Sequence, residues 1–85
     1  MKIKSIGKYD NPLELLDEYV PEALSDLTDD ERDELRCACD YESIAFYVLN
    51  ESTVLTVDTV SDDVLAEDAM WVFATESVRW ARENA

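Results

Sequence analysis

Carboxylates are the side chains in this 85-residue chain most able to do chemistry: 21 aspartates and glutamates stand against seven lysines and arginines, and there is no histidine. Without an imidazole the commonest general base, the usual nucleophile–histidine–acid triads and the commonest metal ligand are all missing. Glycine occurs once, at Gly7, so no glycine-rich loop can cradle a phosphate. Cys37 and Cys39 supply at most two of the four ligands of a structural zinc site. One intervening residue would strain a disulfide between them. They read as reduced, buried or half-buried small hydrophobes. Carboxylate pairs at helical spacing, such as Asp29 with Asp33 or Asp63 with Glu67, have a geometry that can serve acid–base work or magnesium. At this density of acids such pairs arise by chance, and Asp29-Asp30-Glu31 lacks the glycine and spacing of a calcium loop. Neither catalysis, a cofactor nor a metal is expected.

The net charge of −14 is unevenly spread. Lys2, Lys4 and Lys8 make the first nine residues basic. Residues 10–27 carry Asp10, Glu14, Asp17, Glu18, Glu22 and Asp26 with no cation, and residues 28–42 set seven carboxylates against Arg32 and Arg36. A surface of this sign repels phosphate and anionic lipid, so direct binding to nucleic acid or membrane is not expected. A basic protein is the natural partner. No apolar run approaches the roughly 20 residues of a membrane span, and the lysine-bearing start lacks the apolar stretch of a signal peptide, so a cytoplasmic location is expected.

Apolar residues make up 47% of the chain, enough for one core in a single domain of residues 1–85. Lys2-Ile3-Lys4-Ser5-Ile6 alternates like an edge strand guarded by lysines. Asn11-Pro12-Leu13-Glu14 places an N-cap, a proline in the first turn and an acid in the order that opens a helix, here over 12–20, which Pro21 closes. Thr28-Asp29-Asp30-Glu31 fits a capping box and opens a second helix over 29–40. Residues 44–49 and 53–57 are rich in β-branched and aromatic types about Asn50-Glu51-Ser52, which predicts a β-hairpin over 44–58. Tyr41, Ile44, Ala45 and Val48 also fall at helical spacing, so the competing reading is a mostly α protein with a long second helix.

Ser61-Asp62-Asp63 reads as the start of a last helix over 62–83, with Leu65, Ala69, Val72, Phe73 and Trp80 facing inward. The expected class is α+β: a small antiparallel sheet packed against three helices. On that last helix Val64, Trp71 and Val78 fall at seven-residue intervals on the opposite side. Such a stripe fits a third layer of the fold, a homodimer contact or a partner contact anchored by Trp71.

Two accounts of the acidity compete. Carboxylates about 5–6 Å apart along a helix approach the spacing of phosphates and would let the chain occupy a protein's nucleic-acid channel as a DNA mimic. The residues for such a face are Glu14, Asp17, Glu18, Glu22, Asp26, Asp29, Asp30, Asp33, Glu34, Asp62, Asp63, Glu67 and Asp68. Small acidic phage proteins that block restriction, CRISPR or repair enzymes share this size and charge, a likeness of composition. The other account is a salt-adapted (halophilic) cytoplasmic domain acting as an adaptor or dimeric module, since few lysines and many solvated carboxylates also mark a high-salt cytoplasm.

Overall fold

A computed structural model describes residues 4–38 and 43–85. It contains β1 (Gly7–Tyr9), α1 (Pro12–Tyr19), a 3-10 turn (Pro21–Ala23), α2 (Asp29–Cys37), β2 (Ile44–Asn50), β3 (Thr53–Asp58), β4 (Val64–Ala69) and α3 (Met70–Asn84). The strands form one antiparallel sheet in the order β1-β2-β3-β4, and the fold is α+β. The hairpin and the first helix stand where the sequence places them, and the second helix starts at Asp29 as expected but ends at Cys37, residues 39 and 40 of its expected span lying outside the described residues; the competing long second helix does not form, because residues 44–50 are strand.

Local chemistry accounts for the helix ends. The Asn11 side-chain oxygen accepts from the Glu14 N–H at 3.0 Å, satisfying a donor that has no partner within α1. Helix α1 stops before Pro21, whose ring disfavours helical geometry at Val20. At α2 the Thr28 hydroxyl accepts from the Glu31 N–H at 3.2 Å while the Glu31 carboxylate accepts from the Thr28 N–H at 2.7 Å. Arg32 donates to the Leu24 carbonyl at 2.8 Å and ties the intervening loop to the helix. Replacing Thr28 with alanine should lower stability by about 1 kcal/mol, read as a shift of the urea midpoint at constant slope.

Residues 64–69 depart from expectation. Leu65, Ala66 and Glu67 are good helix formers, yet they form β4, and the last helix begins at Met70 rather than near 62. Strand β3 explains this. Its Val54 and Val57 are 1% and 2% exposed, so without β4 its outer edge would leave unpaired backbone groups beside buried side chains. The loop is built to reverse the chain: Asp58 accepts from the N–H groups of Val60 and Ser61, its own N–H donates to the Asp63 carbonyl, and Asp62 takes a positive φ of 62°. Aspartate tolerates that backbone better than most residues. Ser61-Asp62-Asp63 is therefore a turn and not a helix cap.

The N-terminal strand is also displaced. Residues 4–6 lie outside it and β1 spans Gly7–Tyr9; Lys2 and Ile3 fall outside the described residues. β1 does stand at the sheet edge, and there Lys8 lies over the Tyr47 ring at 6.0 Å.

All three helices pack on the face of the sheet that carries Phe46, Val48 and Val54. Helix α1 adjoins β1, α3 adjoins β3 and β4, and α2 touches both helices. The core joins these strand residues to Leu15, Leu16, Leu24, Leu27, Leu35, Met70, Phe73, Ala74 and Ala81. Starting α3 at Met70 rotates its inner face, so Met70, Phe73, Ala74, Ser77 and Ala81 are buried at spacings of three, four and seven. Of the expected inner set only Phe73 is buried: Leu65 stands on β4 at 54% exposure and Trp80 is 38% exposed.

Tyr9 packs edge-on to Tyr19, with ring centroids 6.1 Å apart, and its phenol is pushed up to about 12 by desolvation first, then by the Tyr19 hydroxyl and the carboxylates of Glu18 and Glu14. The folded state thus holds the phenolic proton more tightly than the unfolded chain, whose tyrosine titrates near 10. This contribution is fully present below pH 10 and is lost as pH rises toward 12. Alkaline urea titrations should show stability falling more steeply in the parent than in Tyr9→Phe across that window.

Candidate partner-binding surface

The capped helices α1 and α2 lie side by side and carry eight of the 21 carboxylates. Residues 14–34 contain ten carboxylates and one cation, Arg32. Glu14, Asp17, Glu18, Glu22, Asp26, Asp29, Asp30 and Asp33 are exposed and Glu34 is half-buried. Arg32 is half-buried and turned to the Leu24 carbonyl. Among the described residues, the only one of these carboxylates in an ion pair is Asp33, with Arg36. Exposed pairs of this kind contribute at most about 1 kcal/mol and leave the surface potential negative.

Helix geometry makes neighbours of only some of these carboxylates. Glu14 with Glu18, Asp29 with Asp33 and Asp30 with Glu34 are true i,i+4 neighbours within α1 and α2. Glu22 lies in the 3-10 turn and Asp26 in the loop, so Glu18 with Glu22 and Asp26 with Asp30 do not continue either helix.

The four acids assigned to the start of the last helix are placed elsewhere. Asp62 and Asp63 belong to the β3–β4 loop, and Glu67 and Asp68 to β4, on the edge of the sheet opposite β1. Neighbouring residues of a strand point to opposite faces. Asp68, paired with Val54, points to the helical side, while Glu67, paired with Leu55, points away from it. The structure therefore gathers residues 14–34 on the helical layer and leaves Asp62 and Asp63 in the β3–β4 loop, while Glu67 and Asp68 share a groove with Glu22.

The Val64–Trp71–Val78 stripe is not a helical stripe, because Val64 is paired with Val57 in β4. Five residues of strand, about 16 Å, separate it from the start of α3. Val78 is half-buried against the core. Trp71, in the first turn of α3, is 72% exposed and shares a groove with Val20, Ala23 and Val78. That face is not covered by a further layer of described residues.

A second groove on the other side of Trp71 was not foreseen. It is lined by Val20 and Glu22 after α1, Glu51 to Thr53 in the hairpin turn, and Glu67 to Trp71 at the β4–α3 junction. Only reading 64–69 as a strand would have brought these three segments together, and Leu65, Ala66 and Glu67 gave no such signal.

Cys37 is exposed rather than buried: it ends α2 at the margin of the core, whereas Cys39 lies outside the described residues. Among the described residues no three histidine, cysteine or acidic side chains converge as a metal-ligand set, and no helix is long and apolar enough to cross a membrane. In comparisons with known proteins the chain matches no family model, no curated protein and no solved structure.

Proposed function

We propose that the protein is a non-enzymatic acidic binding protein, a DNA mimic that sets the carboxylates of α1, α2 and their connection against the nucleic-acid-binding surface of a basic protein. The observation that carries this reading is the juxtaposition of two capped helices with ten carboxylates in 21 residues, little neutralised by ion pairs among the described residues. Carboxylates about 5–6 Å apart along each helix, on helices whose axes pack about 8–10 Å apart, form a two-rowed array of negative charge. The two rows resemble phosphate backbones in sign and density. Inhibition of a restriction, CRISPR or repair enzyme would follow from occupancy of the channel alone. The test is capture from a lysate of its source at low and high salt. A nuclease, polymerase or other DNA-binding protein should be retained at low salt and released at high salt, and retention of only acidic or neutral proteins would count against mimicry.

A second reading, a salt-adapted cytoplasmic adaptor, is favoured by one observation. Exposed acids also occur outside α1, α2 and their connection, at Asp62 and Asp63 in the β3–β4 loop. If unrelated proteins of the same source are equally acidic, the charge belongs to the cytoplasm and not to a partner.

A further inference from the structure

The groove beside Trp71 combines two features that the acidic helices lack: a large exposed aromatic face and carboxylates arriving from three separate segments. Glu22 follows α1, Glu51 lies in the hairpin turn, and Glu67 and Asp68 flank the edge of β4, with the apolar side chains of Val20 and Met70 beneath. Among the described residues no lysine or arginine lines it. The Met70 N–H donates to the Ser52 carbonyl at 2.8 Å and pins the hairpin turn to the start of α3, so the walls are held by the backbone.

A structural need for these acids accounts for only part of them. Helix α3 has no side-chain cap at Ala69 and no acid in its first turn, so its N-terminus presents roughly half a positive charge. Four carboxylates exceed that several-fold, and the groove stays negative. An apolar ligand would leave the acids desolvated without partners, and an anion would be repelled. A cation with a flat apolar face satisfies both features. Tryptophan is the best aromatic partner for such a group, and a guanidinium stacks on it while donating in its own plane to carboxylates, which an ammonium cannot do.

We propose that this groove receives an arginine side chain of the basic partner, stacked on the Trp71 indole and held by Glu22, Glu51 and Asp68, the β4 acid on the helical side. The inference rests on the partner being basic and names the residue type it inserts here. It turns Trp71 from an apolar contact into a cation-binding one.

The test is titration of the intact protein with hexa-arginine and with hexa-lysine, followed by the indole N–H resonance of Trp71 and the backbone amides of Ser52 and Ala69. Hexa-arginine should move all three and bind about threefold to tenfold more tightly than hexa-lysine of the same charge. Trp71→Ala should abolish that preference, and Trp71→Phe should keep part of it. Combined Glu22→Gln, Glu51→Gln and Asp68→Asn should weaken hexa-arginine more than the reversal of acids on α2 does. An unmoved Trp71 resonance, or equal arginine preference in Trp71→Ala, would overturn the proposal. If Trp71→Ala retains a captured partner that α2 reversal releases, the arginine site falls while the mimic reading stands.

Discussion

Replacing Asp29, Asp30, Asp33 and Glu34 together with lysine is expected to weaken binding to a captured basic partner by about 100-fold or more. Each change moves the local charge by two units, so an attractive contact becomes a repulsive one. Close charge pairs at interfaces couple by about 1.5 kcal/mol or more, and every 1.4 kcal/mol is tenfold in affinity. Two productive contacts among the four would give that loss. The fold pays a smaller cost: Asp29 and Asp30 lie in the first turn of α2, where lysine opposes the helix dipole by about 0.3–1 kcal/mol each, and the Asp33–Arg36 pair is lost. Relief of repulsion within a chain of net charge −14 acts in the opposite direction. Asparagine and glutamine at the same positions give a gentler variant with an intermediate loss. Partner affinity by titration calorimetry, with circular dichroism to verify the helices, reads both. Unchanged affinity in the folded lysine variant would remove α2 from the interface.

Phe73→Ala should cost about 3–5 kcal/mol, a large share of the roughly 5–15 kcal/mol that holds a small domain together. Phe73 is 6% exposed and meets the Phe46 ring edge-on at 5.1 Å between centroids, joining α3 to β2. Its removal opens a cavity where helix meets sheet and also loses the aromatic pair. Urea unfolding should show a much lower midpoint with a similar slope. Trp71→Ala is the informative contrast. At 72% exposure it should change stability by less than about 0.5 kcal/mol. A loss comparable to that of Phe73→Ala would assign Trp71 to the core and not to a binding surface.

The elements legible in the sequence are those with local chemistry at their ends. Asn11-Pro12 and Thr28 to Glu31 announce α1 and α2 by side-chain hydrogen bonds made within four residues, and the structure contains those bonds. The hairpin is legible because β-branched runs flank a polar turn. β4 is not, because what makes it a strand is the exposed edge of β3, a partner several residues away that propensity cannot register. That one displacement carried others with it: the inner face of α3 rotated, Val64 left the stripe, and Asp63 and Glu67 ceased to be a helical pair. The acidic surface of residues 14–34 was legible because exposure follows from charge, and the groove at Trp71 was not, because it joins three segments remote in sequence.

In the proposed mimic the α1–α2 carboxylates occupy the site where a partner binds nucleic acid. The most direct measurement is competition: the captured DNA-binding protein is held at saturation with this chain while duplex DNA is added, at two ionic strengths. Mimicry predicts that DNA displaces the chain competitively, that neither is bound in the presence of saturating amounts of the other, and that affinity falls as the screening length shortens from about 10 Å at 0.1 M salt toward 3 Å at 1 M. A ternary complex in which DNA and the acidic chain are bound together with undiminished affinity would contradict it.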